Sequence, residues 1–341
     1  MGITIHKIAK ESNTSIATVS KVLNNREGVS EQIRLKVLQT SERLGYFPYI
    51  KARESGLFRK KAKYTGEIFG NAHPSLINKL KAGISEVMNN SPYYEVTHFL
   101  TNAEEKNINK VKLFISNFLR DEAIAGLIIA FIKLNDKLIY DLLNSKMYTV
   151  LVNMKSDIAP YITIDNMKAA FLATEYLIKT GCKKIGLVIS DDLYIDVWQD
   201  RIEGYKKALD EAGIKFNQNL IEYEGTFEVS QIKLATRSLL EKNGEMEAII
   251  YASDWQAYAG IQYLKENKIK IPEQISVIGF DNLSFDEFIE PSLTSVNQPI
   301  EEMGRKATSL LLEMIKKGKV LKQNTILSSG IIVRDSTKRT S

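Results

Sequence analysis

The sequence predicts a small all-α helix-turn-helix headpiece followed by an α/β body of two subdomains built on parallel sheets. Three observations carry this. The stretch from Ile5 to Leu23 reads as two short helices around a tight turn. The first 63 residues hold thirteen Lys and Arg against five Asp and Glu, a net of +8; the whole 341-residue chain is +5, so the remainder stands at −3. All of the basic excess sits in one small unit, as in a nucleic-acid-binding module joined to a domain with another task. From Tyr64 onward, short apolar runs alternate with amphipathic helical stretches, the pattern of βαβ units.

In the headpiece, Ile5, Ile8 and Ala9 recur at helical spacing while Lys7, Lys10 and Glu11 face away. The polar run Ser12-Asn13-Thr14-Ser15 breaks the period, and Ser15 can cap a second helix by accepting from its free amides. There Val19, Val22 and Leu23 form the buried stripe, leaving Ala17, Ser20 and Lys21 opposite and Ile16 at the exposed N-terminal edge. A helix presented this way fits the major groove, where short side chains reach base edges and a lysine reaches guanine or phosphate. Ser30 opens a third helix whose Ile33, Val37 and Leu44 are expected to complete the core. Residues 48–63 are polar and basic with no apolar stripe, hence a linker; its cluster Arg59-Lys60-Lys61-Lys63 reads either as a phosphate-contacting tail or as a solvated tether. This divides the chain into a headpiece at 1–47, a hinge at 48–63 and a core at 64–341. Within the core, 64–163 with about 292–320 is assigned to an N-subdomain, and 164–291 with about 321–341 to a C-subdomain.

In open α/β sheets, ligands bind beyond the carboxyl ends of the strands, so the residues that follow each apolar run are the candidates. Asp281 follows the run Ile275 to Ile278, and Ser253-Asp254-Trp255 follows Ala248 to Tyr251. A carboxylate accepting hydroxyl or amine protons, with the fixed donor fork of Arg201, suits a polyhydroxylated sugar or a purine-like ring; a structural salt bridge between the two is the alternative. Asp165 and Asp254 lie at strand ends where acids also cap helices, and Trp198 and Trp255 offer either an aromatic wall or core packing.

Other functions are disfavoured. No apolar run is long enough to span a bilayer, and Met1 to Lys10 lacks the apolar core of a signal peptide, so a cytoplasmic protein without membrane association is expected. The single Cys182 excludes an internal disulfide, and His6, His73 and His98 are scattered without metal-ligand spacing; no metal and no cofactor are expected. No GxSxG elbow, P-loop, GxGxxG or HExxH occurs, so no catalytic residue is assigned and an enzyme is not expected.

Residues 5–53 resemble the headpiece of the lactose-repressor and galactose-repressor family of bacterial transcription regulators. The resemblance is carried by Thr18-Val19-Ser20-Lys21-Val22-Leu23-Asn24, by Leu44-Gly45-Tyr46-Phe47-Pro48 and by Ala52-Arg53. It continues through Arg201-Ile202-Glu203-Gly204-Tyr205, the run from Ile271 to Asn282, and Leu293 to Pro299, which are similar to the family's periplasmic-binding-protein-like effector core. The resemblance implies a repressor whose DNA-facing residues are Thr4, Ser15, Ile16, Ala17, Thr18, Ser20, Lys21, Asn24, Ala52, Arg53 and Ser55. Ser55 stands where the family usually presents a minor-groove leucine, with Leu57 and Phe58 the nearest apolar substitutes. The resemblance also implies that Arg201, Ser253 and Asp281 line an effector pocket with Phe227 stacking on the ligand; Trp198, Trp255 and Asp165 complete the candidate set. The implied partners are double-stranded DNA with a pseudo-palindromic operator, a sugar or sugar-derived effector, and a second copy of the chain. No leucine heptad follows Ile331-Ile332-Val333, which favours a homodimer over a tetramer. A solute-binding protein or enzyme on the same core remains the alternative, which the headpiece disfavours.

Overall fold

The computed structural model describes residues 4–23, 28–44, 64–70, 72–100, 111, 115, 123–132, 134, 136–144, 147–190, 195–224 and 228–338. The hinge at 48–63, the helix expected near 111–119 apart from Val111 and Ile115, and Asn24, Ala52, Arg53, Ser55, Leu57, Phe58 and Phe227 lie outside the described residues.

The headpiece is three helices, α1 (Ile5–Glu11), α2 (Ile16–Leu23) and α3 (Glu31–Arg43). Ile8, Val19, Val22 and Val37 are fully buried between them, with Ile5, Leu23, Leu38 and Leu44 packed around. The turn closes through its own polar groups. Ser12 Oγ donates back to the Ile8 carbonyl at 2.7 Å, and Asn13 takes a left-handed φ of 50° that suits its short polar side chain. Ser15 Oγ then accepts from Thr18 N at 2.9 Å, the cap expected for α2. Ile33 departs from expectation: it is 40% exposed, because the buried residues of α3 (Val37, Thr40 and Ser41) all lie further along the helix.

In chain order the body comprises β1 (Tyr64–Phe69), α4 (Pro74–Met88), β2 (Tyr94–Phe99), β3 (Ile124–Ala130), α5 (Asp136–Asn144), β4 (Tyr148–Val152), β5 (Tyr161–Ile164), α6 (Asn166–Lys179), β6 (Ile185–Ser190) and α7 (Ile195–Glu211). It continues with β7 (Ile221–Glu224), α8 (Val229–Asn243), β8 (Ala248–Tyr251), α9 (Asp254–Glu266), β9 (Ser276–Asp281), β10 (Thr294–Asn297), α10 (Ile300–Lys317), β11 (Thr325–Leu327) and β12 (Gly330–Ile332). Two six-stranded sheets result, ordered β11-β5-β4-β3-β1-β2 and β12-β10-β9-β8-β6-β7. Among the described residues every pairing is parallel except β10 with β12. Strands β3, β4, β6, β8 and β9 are apolar along nearly their whole length, as sheets covered by helices on both faces require.

The subdomain boundaries need correcting at the C-terminal end. β10, expected in the N-subdomain, joins the second sheet beside β9, and β11, expected in the C-subdomain, joins the first sheet beside β5. The chain therefore crosses between lobes after β5, between β10 and α10, and between β11 and β12. Burial explains the placement: Thr294, Ser295 and Val296 sit inside the second sheet, whereas Met303, Ala307, Leu311 and Met314 turn the apolar face of α10 onto the first. Gly83 and Gly304 let α4 and α10 approach so closely that a Cβ on Gly83 would be driven into the Glu301 backbone. After β12 the tail is stitched into the second sheet, with Ser336 Oγ donating to the Val277 carbonyl at 2.7 Å and accepting from Thr294 N at 2.8 Å.

Candidate functional site

The strand ends of both lobes face a common cavity that, with its open mouth included, encloses about 510 Å³ of empty space. The first lobe contributes His73 before α4, Phe131 just after β3 and Asn153 just after β4; the second contributes Val197, Trp198 and Arg201 of α7, with Ser253, Trp255, Asp281 and Gln298. Phe131, Asn153 and Asp281 all hold left-handed backbone, with φ of 57°, 59° and 117°. Strain of this kind, costing on the order of 1–3 kcal/mol per residue, tends to collect at ligand clamps.

His73 and Trp255 stack across the cavity with ring centroids 4.6 Å apart and planes inclined by 26°. His73 Nδ1 accepts from Ser75 N at 3.3 Å and so caps α4; in the neutral ring the proton then sits on Nε2. Burial lowers the His73 pKa, which keeps the ring neutral.

Arg201 is buried with its guanidinium between two rings, 5.0 Å from the centroid of Trp198 and 4.1 Å from that of Phe280. Its Nε donates to Asn166 Oδ1 at 3.0 Å and its Nη1 to the Ala252 carbonyl. Burial lowers its pKa to about 10, so it remains charged at neutral pH. Asp281 is equally buried and accepts from Gln298 Nε2 at 2.5 Å. Burial pushes its pKa up to about 7, against the opposing pull of Arg201 and of the Gln298 hydrogen bond. The structural salt bridge open in the sequence is not formed: Arg201 and Asp281 bond to other groups and face the same cavity.

The remaining candidates divide. Ser253 lines the cavity and also caps α9, its Oγ accepting from Gln256 N at 3.2 Å. Trp198 and Trp255 line it as well. Asp165 does not, which corrects the expectation for it: the single residue between β5 and α6, it is exposed and its carboxylate is spent on capping α6, accepting from Lys168 N at 3.0 Å. Asp254 neither caps nor lines the cavity. Fully buried, it accepts from Leu283 N at 2.9 Å and Ser295 Oγ at 2.6 Å, and burial with the nearby Asp281 and Asp286 carboxylates raises its pKa well above the usual range. Asn153, Phe131 and Gln298 were missed by sequence reasoning, although each immediately follows a strand. Among the described residues, two polar ties span the lips of the cleft: Lys79 Nζ donates to the Asn282 carbonyl, and Lys155 pairs with Asp200 at 2.6 Å.

On the headpiece, Ile16, Ala17 and Lys21 are exposed on one face of α2, with Ser20 half-buried beside them. Thr4 and Ser15 are exposed at the starts of α1 and α2; Thr18 is half-buried, its Oγ1 2.8 Å from Ser15 Oγ.

Comparison with known proteins places both units. Residues 4–49 match the family described as bacterial regulatory proteins, lacI family, and residues 174–337 match the periplasmic binding protein-like domain. The HTH-type transcriptional regulator RegA of Clostridium saccharobutylicum is 31% identical over 99% of this chain and 100% of its own length. The chain belongs to the lacI family of bacterial regulatory proteins. Catabolite control protein A of Priestia megaterium is likewise 31% identical, over 99% of this chain and 100% of its own. Among solved structures, the transcriptional regulator CelR in complex with cellobiose superposes with a TM-score of 0.72 at 23% identity, covering 98% of this chain and 100% of that one, and so shares its fold. As a member of the lacI family the protein is a DNA-binding transcription regulator. Among the described residues no helix is long and apolar enough to cross a membrane.

Proposed function

We propose that the protein is a cytoplasmic, homodimeric repressor that binds a pseudo-palindromic operator in double-stranded DNA, and that a sugar or sugar derivative in the cleft sets its affinity. The observation that carries the reading is the pairing, in one chain, of an exposed cationic helix-turn-helix face with a cavity in which Arg201 and Asp281 stand without bonding each other. The face of α2 enters the major groove, with Ile16 and Ala17 against thymine methyls and Lys21 on guanine or phosphate. Thr4, Ser15, Thr18, Ser20 and Asn24 flank it, and the hinge at 48–63, with Ala52, Arg53 and Ser55, meets the minor groove. In the cleft Arg201, Ser253, Asp281, Trp198 and Trp255 hold the effector, with Phe227 stacking on it. The CelR structure, of the same fold, contains cellobiose, which supports a sugar as the class. The protein is not an enzyme in this reading.

Ligand changes the angle between the lobes, and with it the spacing of the two headpieces. Its effect on DNA binding equals its differential affinity for the DNA-competent and incompetent arrangements, and DNA shifts ligand affinity by the same factor. A thermal-shift screen of sugars, sugar phosphates and nucleobases identifies the effector, since a ligand of the folded state raises the melting temperature by mass action. Asp281→Ala and Arg201→Ala are expected to abolish that shift. Normally folded variants that bind the identified effector as the parent does would overturn the assignment.

A further inference from the structure

His73 reaches from the first lobe to the second. It stands just before α4, where Pro74 opens the helix, and its ring lies against Trp255 in the first turn of α9, with centroids 4.6 Å apart and planes inclined by 26°. Both rings are half-buried. Trp255 packs on the apolar core of the second lobe, so the stack ties the entry of α4 to a fixed point across the boundary. Further along the same helix, Lys79 donates to the Asn282 carbonyl. One helix of the first lobe therefore grips the second lobe at two places.

The first of these grips depends on a proton. His73 Nδ1 accepts from Ser75 N at 3.3 Å, which only an unprotonated nitrogen can do. An imidazolium would set one N–H against another at the N-terminus of α4, where the helix dipole also opposes a cation. Burial acts in the same direction and lowers the His73 pKa from its ordinary 6.5. The attraction of a cation to the indole face of Trp255 pulls the other way, but it does not replace the lost acceptor. The charged groups around the cavity leave this balance in place. From α7 comes Arg201, a like charge, and Asp200, already paired with Lys155. The end of β9 brings Asp281, bonded to Gln298, and α9 brings Asp254, bonded to Leu283 N and Ser295 Oγ. On α4 itself Lys79 is turned to Asn282. Among the described residues no charged side chain bonds the imidazole.

We propose that the His73–Trp255 stack is a proton-sensitive latch between the lobes, closed while the imidazole is neutral and released when it takes up a proton. The latched ring holds a proton less tightly than a ring freed into water. Its contribution to closure is therefore complete above about 6.5, the ordinary value, and is lost as pH falls through the lower value of the latched ring. Asp281 works in the opposite sense, since its buried carboxyl favours the protonated form. The latch is made by two side chains of the chain itself and stands apart from the identity of any effector. If the lobes set the spacing of the headpieces, operator affinity inherits the same dependence on pH.

The chain has two tryptophans, so Trp198→Phe, which keeps a ring beside Arg201, leaves Trp255 as the reporter in the full-length protein. Its emission maximum and its quenching by acrylamide are followed from pH 7.5 to pH 5, with circular dichroism and a melting curve at each pH. Trp255 should be shielded at pH 7.5 and, at pH 5, red-shifted and at least about twofold more quenchable as the latched population falls. Added to this background, His73→Phe keeps a ring without a proton and should stay shielded throughout. His73→Asn keeps an oxygen to cap α4 but no ring, and should be open at both ends of the range. Quenching that ignores pH in the folded reporter overturns the proposal, as does a pH dependence that survives in His73→Phe, or full shielding in His73→Asn. Amide exchange in the first turn of α4 of the parent chain, corrected for its intrinsic pH dependence, reads the latch without any substitution. Protection there should drop toward pH 5, and unchanged protection equally overturns the proposal.

Discussion

Asp281 has the most to say about how single side chains govern this molecule. Its carboxyl is ordinarily near 3.8, and burial raises it to about 7 despite Arg201 and Gln298. A folded state that holds its proton more tightly than the unfolded chain is stabilised fully below the ordinary value, and that contribution is lost as pH climbs from about 4 through about 7. Asp281→Asn keeps an acceptor for Gln298 and removes the titration. Its melting temperature should therefore rise relative to the parent between pH 5 and pH 8, with Asp254 and Asp286 common to both proteins. A difference that stays flat with pH would contradict the assignment. On the headpiece, Lys21 is exposed and its removal leaves the core of Ile8, Val19, Val22 and Val37 intact. Lys21→Ala should cost about 1–3 kcal/mol of operator binding with unchanged helicity by circular dichroism; equal affinity and base preference at fixed salt would rule out the docking.

Helix termini and crossings set the next scale. Ser15→Ala removes the oxygen that accepts from Thr18 N, and should destabilise the headpiece by about 1 kcal/mol, read as earlier melting of its helical signal. Gly83→Ala forces a methyl into the Glu301 backbone where α4 meets α10; a cost of about 1–3 kcal/mol is expected, and an unchanged melting temperature would mean the two helices are not packed this tightly. These elements also show what the sequence could and could not disclose. The helix pair of the headpiece and the apolar strands were legible because burial imposes a period on the chain itself. Ile33 was misread because its spacing fits the core stripe although its place in the first turn of α3 leaves it exposed. The swap of β10 and β11 between sheets was invisible, since two residues separate β10 from α10 and nothing local states that a crossing lies there. Arg201, Ser253 and Asp281 were legible as strand-end or helix-borne polar groups. Asn153 and Gln298 obey the same strand-end rule, but an amide carries no charge to draw attention.

At the scale of the whole molecule, charge and architecture divide the labour. The first 63 residues, headpiece and hinge together at +8, carry the attraction to DNA, and the remainder, at −3, adds none of its own. Among the described residues, a hydrogen bond from Lys79 and an ion pair from Lys155 tie the lobes across the lips of the cleft, alongside the His73–Trp255 stack and the apolar core that runs through both lobes. A ligand shifts the balance between two lobe arrangements only by its differential affinity for them. The most direct test of this account is operator affinity measured with and without a cleft ligand. Binding sites would be selected from random double-stranded DNA by the full chain, and affinity followed by fluorescence anisotropy at fixed salt, with and without the compound that raises the melting temperature. The account predicts a pseudo-palindromic consensus and a change in affinity of at least about fivefold on adding ligand, lost in Asp281→Ala. Selection without any enriched sequence, or an operator affinity that ignores a saturating cleft ligand, would contradict it.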